Sequence, residues 1–243
     1  MPDKKQDIIN KLRKDILLLE GFKPPSAGSM GNIGLGDIEF SFPNSVFPVG
    51  AIHEVLCPTT EHLAASSGFI SGILASLMKQ GGACLWISIT GKIFAPAMAM
   101  FNVEADRIIF IDLIREKDVL WVTEEALKCE GLTAVIAELQ SISFAESRRL
   151  QLAVENSKVT GFILRTDPRK AGASTCMARW QISHLPGGTE DGLPGVGFPR
   201  WQVDLLKVRN GSPGNWQLEW AEGRFVQVEK EIAVREVYER KVG

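Results

Sequence analysis

The sequence predicts an α/β domain in which a mostly parallel sheet lies between helices and is extended at its C-terminal end by antiparallel strands. Three observations carry that prediction. From residue 50 onward, short apolar runs alternate with helix-length segments. The apolar runs are continuous, as expected of parallel strands covered on both faces. After residue 174 the helical rhythm stops, and strand-like segments follow one another with turn-rich loops between them.

Residues 3–20 read as an amphipathic helix, with Ile8, Leu12, Ile16 and Leu19 at three- and four-residue spacing. Gly21 ends it, and FKPPSAGSMGNIGLGD reads as a linker, so residues 1–36 are set apart from a core over 37–221. Its GNIGLG has no strand before it and no helix pattern after it, which excludes a dinucleotide fingerprint. Ala51–Leu56 is the first strand, followed by a helix over 61–79, the strand ACLWISI at 83–89 and a short helix near 93–102. The strand RIIFIDL at 107–113, a helix over 116–129 and the strand TAVIAEL at 133–139 come next. A helix over 144–157 opens with the capping-box pair Ser143 and Glu146 and leads to the strand VTGFILR at 159–165. Crossovers between such strands are expected to be right-handed. CMARWQISHL, WQVDLLKVR and NWQLEW read as the antiparallel extension. The intervening PGGTEDGLPGVGFPR is too rich in Gly and Pro for regular structure. Residues 222–243 read as a charged tail, in which VEKEIAVREVYERKVG at 228–243 reads as a helix with few apolar anchors.

Composition narrows the function classes. The chain has 243 residues, 45% of them hydrophobic and 23% charged, with a net charge of −2. Such a balance excludes a strongly basic nucleic-acid binder, so any nucleic-acid contact must be a local patch or come through a partner. No apolar run approaches membrane-spanning length, and MPDKKQDIINKLRKD has no signal-peptide core, so a cytoplasmic protein is expected. Cys57, Cys84, Cys129 and Cys176 lack metal-ligand spacing and read as reduced thiols. No metal or cofactor is expected.

The loop CPTTEHLA at 57–64 raises the main functional question, because strand, loop and helix are the order in which a phosphate-binding P-loop is built. A working P-loop turns backbone N–H groups onto phosphate at a helix N-terminus, then adds a lysine and a metal-binding hydroxyl. Laid over that pattern, Cys57 and His62 stand at the two glycines, Leu63 at the lysine and Ala64 at the hydroxyl. The backbone scaffold is predicted to remain while the cation and the metal ligand are gone. Thr59 or Thr60 then serves as a helix N-cap. Glu138 ends an apolar strand where an acid would organise Mg²⁺, but it has no metal partner at Ala64. Only Ser88 and Thr90 stand where a carboxylate base would be expected.

Other residues invite two readings. Trp180, Trp201, Trp216 and Trp220 suit either base stacking or the inside of a sheet. His53, His62 and His184 have no triad partners, although His62 beside the loop could meet an anion when protonated.

The run from Ile38 to Trp220 resembles the RecA-like ATPase core and, within it, the ImuA family of accessory proteins of damage-inducible mutagenesis. FPVGAIHEVLCPTTE, QGGACLWIS, RIIFIDLIREKDVLWVTEEALKCEGLTAVIAEL, RRLQLAVENSKVTGFILR and PGVGFPRWQVDLLKVRNGSPGNWQLEW carry the resemblance. It implies a RecA-like fold with a degenerate P-loop. It also implies a non-catalytic accessory role in translesion DNA synthesis during the SOS response. The implied partners are an ImuB-like Y-family protein, an error-prone replicative-type DNA polymerase and RecA, with DNA met indirectly. Lys207 and Arg209 match the paired cations with which RecA-like proteins reach the nucleotide of a neighbouring protomer. The DNA-carrying loops of a recombinase are shortened to QSIS at 140–143 and DPRKAGAS at 167–174, where Arg169 and Lys170 are candidates for a weak phosphate contact. The helix over 3–20 resembles the N-terminal helix by which RecA-like proteins dock on a neighbour. A RecA-like ATPase with an unusual site and a SulA-like cell-division inhibitor are the rival expectations.

Overall fold

The continuous apolar runs become the centre of one nine-stranded sheet. The computed structural model describes residues 11, 12, 15, 16, 33–89, 91, 93, 95–167, 172–188 and 197–228. Its strands are β1 (Ile52–Leu56), β2 (Ala83–Ser88), β3 (Ile108–Asp112), β4 (Leu132–Leu139), β5 (Thr160–Arg165), β6 (Ala178–Gly188), β7 (Phe198–Val208), β8 (Gly214–Ala221) and β9 (Arg224–Val228). The order is β3-β2-β4-β5-β1-β6-β7-β8-β9. Neighbours from β3 to β6 are parallel, whereas β6 to β9 are antiparallel.

Helix α1 (Thr60–Leu77) covers one face, and α2 (Glu116–Leu127) and α3 (Phe144–Ser157) cover the other. Strand β4 shows why the apolar runs are unbroken. Its Ala134 and Ile136 join the α1 side of the core with Phe69, Trp86 and Trp180, while Val135 and Ala137 join Val119 and Leu150 on the other side. Because side chains alternate along a strand, burial on both faces requires every position to be apolar.

The capping box of α3 forms as expected. Ser143 Oγ accepts from the N–H of Glu146 at 3.2 Å, and the Glu146 carboxylate accepts from the N–H of Ser143 at 2.7 Å. Ser143→Ala is expected to cost about 1 kcal/mol. In urea titrations the unfolding midpoint should fall while the slope stays unchanged.

Three details depart from the sequence expectation. The helix expected near 93–102 is a 3₁₀ segment at Ala95–Phe101. Residues three apart eclipse one another in that geometry, so Met98 and Phe101 are buried together. The end of the expected linker is packed, with Ile33 and Leu35 buried. Glu39 Oε1 accepts from the N–H groups of Ile33, Gly34 and Leu35 at 3.0, 3.1 and 3.2 Å, which satisfies backbone donors that burial would otherwise strand. The tail set apart from residue 222 opens with a strand that the sequence did not announce, β9, whose Phe225 packs edge-on against Trp220 at 5.0 Å, and the helix expected over 228–243 lies outside the described residues from 229 onward. At the N-terminus, residues 11, 12, 15 and 16 are helical, with Leu12 and Ile16 exposed. The rest of the expected helix over 3–20 lies outside the described residues.

Candidate functional site

Three residues separate β1 from α1, because the helix already begins at Thr60. Thr59 is its N-cap, and its hydroxyl accepts from the N–H of His62 at 3.4 Å. The same hydroxyl lies 3.0 Å from His62 Nδ1, and His62 Nε2 lies 3.3 Å from Ser183 Oγ on β6. His62 is therefore tied down at both ring nitrogens. The exposed Glu61 carboxylate has its pKa lowered, first by a hydrogen bond with the Thr59 hydroxyl and then by its own backbone N–H. Glu61 thus adds a negative charge in the first turn of α1, at the positive end of the helix.

Cys57, at the first-glycine position, is buried with its Sγ 3.5 Å from Ser66 Oγ, and burial pushes its thiol up to about 11. It is a packing residue with little thiolate character. Leu63 and Ala64 face a cavity of about 450 Å³ whose walls include Met98, Phe101 and Trp201. Glu138 reaches the edge of this cavity, is buried, and accepts from Trp86 Nε1 at 3.4 Å. A magnesium–triphosphate pressed onto such walls would lose hydration without gaining a cation or a metal ligand from Leu63 or Ala64.

Sequence reasoning missed one carboxylate near this end of the sheet. Asp112, at the end of β3, accepts from Ser88 Oγ at 2.8 Å, and Ser88 Oγ in turn accepts from the N–H of Gly91 at 3.2 Å. The pairing Ser88↔Asp112 joins residues that only the parallel register of β2 and β3 brings side by side. Thr90 lies outside the described residues.

The tryptophans settle into the sheet. Trp180, Trp201 and Trp220 are buried and Trp216 is half-buried against the same core, so none of the first three presents a ring for base stacking. His53 is fully buried between rings, stacked on Phe47 at 4.5 Å, and burial lowers its pKa to about 4. His184 is exposed.

The paired cations are brought to one place. Lys207 and Arg209 line a groove of about 580 Å³ together with Phe144 and Arg148 of α3 and Ser174, Thr175 and Cys176 of the segment before β6. Arg148 carried no sequence signal, since only tertiary packing sets α3 beside the end of β7. Arg169 and Lys170 lie outside the described residues.

Beneath the groove lies a buried ionic cluster that sequence reading also missed. Glu54 of β1 accepts from Arg165 Nη1 at 2.6 Å and from Arg179 Nε at 2.6 Å, with Glu54 and Arg165 both fully buried. Ser174 Oγ donates to the same carboxylate at 3.0 Å. Arg179 Nη2 donates to the carbonyl of Gly172 at 2.8 Å, which pins the segment that forms the groove floor.

Comparison with known proteins agrees with this architecture. No family model matches the chain. It is 32% identical over 200 residues to Protein ImuA of Caulobacter vibrioides strain NA1000 / CB15N, covering 77% of this chain and 82% of that protein. The ImuA of strain ATCC 19089 / CIP 103742 / CB 15 of the same species matches to the same extent. The crystal structure of the RadB recombinase superposes with a TM-score of 0.51 at 13% identity, covering 76% of this chain and 93% of that one. The fold is therefore RecA-like, and the chain belongs to the ImuA family.

Proposed function

We propose that the chain is a non-enzymatic accessory protein of error-prone translesion DNA synthesis in the SOS response. It acts by protein contacts with an ImuB-like Y-family protein and an error-prone replicative-type DNA polymerase, with RecA as a further partner. The observation that carries the non-enzymatic reading is the remodelled β1–α1 junction. Helix α1 starts at Thr60, Glu61 lies at its positive end, and Leu63 and Ala64 face apolar walls. Family membership supports the pathway. Among the described residues no helix is long and apolar enough to cross a membrane. The proposed partners are cytoplasmic, and the same reading has the protein act beside them.

Calorimetric titration with Mg²⁺·ATP is expected to give no saturable binding at micromolar concentration, and co-expression is expected to co-purify the ImuB-like protein. Mg²⁺-dependent ATP binding abolished by altering residues 57–64 would overturn the non-enzymatic reading. Recovery of an FtsZ-type partner in place of a polymerase would point to a division inhibitor. Family resemblance assigns Lys207 and Arg209 to a nucleotide held by an adjacent RecA-type subunit. Unchanged binding of a Lys207→Ala/Arg209→Ala variant to a RecA filament with ATP would remove that role.

A further inference from the structure

The groove between α3 and the end of β7 is built from elements far apart in sequence. Phe144 and Arg148 are four residues apart, so they share one face of α3. The floor is fastened to that helix, because the N–H and the hydroxyl of Thr175 both lie within hydrogen-bond reach of Ser147 Oγ, at 3.2 and 3.3 Å.

The opposite wall owes its chemistry to a β-bulge. In the β6–β7 ladder, Trp180 pairs with Leu205 and Arg179 pairs with Lys207, so Leu206 is passed over. Up to that point Trp201, Val203 and Leu205 face the α1 side of the sheet. Unbroken alternation would send Lys207 the same way. The extra residue reverses the parity and turns Lys207 onto the α3 side beside Arg179. Arg209, two residues on, is held next to it by its N–H bond to the carbonyl of Met177 at 2.8 Å.

Arg148, Lys207 and Arg209 therefore converge on one concavity from two elements. Among the described residues none of the three side chains makes an ion pair or hydrogen bond, in contrast to Arg165 and Arg179 just below. Like charges gathered without a counter-charge repel, and an anion bridging them removes that cost. Among the described residues the lining contains no carboxylate that would hold the Mg²⁺ of a nucleoside triphosphate. Its rim does carry Phe144, 57% exposed, whose ring is open to a flat partner. Cations along a groove beside an exposed aromatic ring suit a single strand, whose phosphates and bases they meet separately.

We propose that this groove binds single-stranded nucleic acid, with backbone phosphates on Arg148, Lys207 and Arg209 and one base against Phe144. It is the local patch that an overall charge of −2 still permits. The site goes beyond the accessory role proposed above and does not depend on it.

The test is fluorescence anisotropy of a labelled oligothymidine of about a dozen nucleotides with the full-length protein across a salt series. Wild type should bind with a log–log salt slope of about −2, the value for three neutralised phosphates on a single strand. Arg148→Gln/Lys207→Gln/Arg209→Gln should bind at least tenfold more weakly and flatten that slope. Phe144→Ala should weaken binding about fivefold or more and leave the slope unchanged. Thermal unfolding of each variant confirms folding, which these surface positions should not disturb. Wild-type affinity in the triple variant would overturn the proposal. So would displacement of the oligonucleotide by equimolar Mg²⁺·ATP, which would give the groove to a mononucleotide. Co-purification of the ImuB-like partner with the same triple variant reads the accessory role separately, so either reading can fail alone.

Discussion

Glu54→Gln is expected to lower stability by about 3–5 kcal/mol, because it removes the negative charge facing a fully buried arginine. Arg165 has no route to water, as its side chain is 0% exposed, while Arg179 retains 16% exposure and can rehydrate. The cost therefore falls mainly on Arg165. For a domain of this size the loss should lower the melting temperature by about 10 °C or more. The second arm replaces both partners, as Glu54→Leu with Arg165→Met. Apolar groups of similar volume need no counter-charge, so most of the lost stability should return. If Glu54→Gln unfolds within about 1 kcal/mol of wild type, the buried pair does not hold this end of the sheet. The variant also bears on the groove, since Ser174 and Arg179 both lean on the Glu54 carboxylate.

Acid is expected to destabilise the protein through His53 well before most carboxylates titrate. The ring donates to or accepts from two fixed partners, the Pro48 carbonyl at 2.7 Å from Nε2 and the Trp180 Nε1–H at 3.3 Å from Nδ1. A carbonyl only accepts and an indole N–H only donates, so the neutral tautomer protonated on Nε2 satisfies both. A second proton on Nδ1 would face the indole N–H. Burial lowers the folded pKa from 6.5 to about 4, with the Pro48 hydrogen bond partly opposing the shift. Between those values the unfolded chain takes up a proton that the folded chain refuses. The stabilisation is present above about pH 6.5, declines as pH falls, and is gone below about pH 4. A shift of this size corresponds to roughly 3 kcal/mol across the window. Urea unfolding from pH 7.5 to 4.5 should therefore show a steeper loss in wild type than in His53→Phe, whose ring keeps the stacking but cannot titrate. Parallel pH profiles for the two proteins would sink the assignment.

The fold was legible because its signals are local or periodic. Unbroken apolar runs in β4 and β5 announce burial on both faces, and Ser143 with Glu146 announces the start of α3. The residues of the β1–α1 loop were legible for a similar reason, since His62, Leu63 and Ala64 stand at fixed spacing after β1. Elements whose form depends on distant contacts were not. Residues 95–101 carry helix-forming side chains, yet their geometry follows the packing of Met98 and Phe101 on the core. The segment RFVQV has too little context to be read as a strand until β8 supplies a ladder for it.

Sequence by itself determined the layered α/β architecture, the residue types at the β1–α1 junction, where Leu63 and Ala64 stand, and the family. Residue types and their spacing are one-dimensional properties, and these conclusions need nothing more. Tertiary structure alone decided which charges meet. It set Glu54 against two arginines lying 111 and 125 residues away. It also turned Lys207 across the sheet by one bulged residue, to stand with Arg209 beside Arg148. Coulombic and hydrogen-bond terms act over a few ångströms, whereas the residues that supply them are separated along the chain by whole elements, so only the folded geometry reveals the pairing.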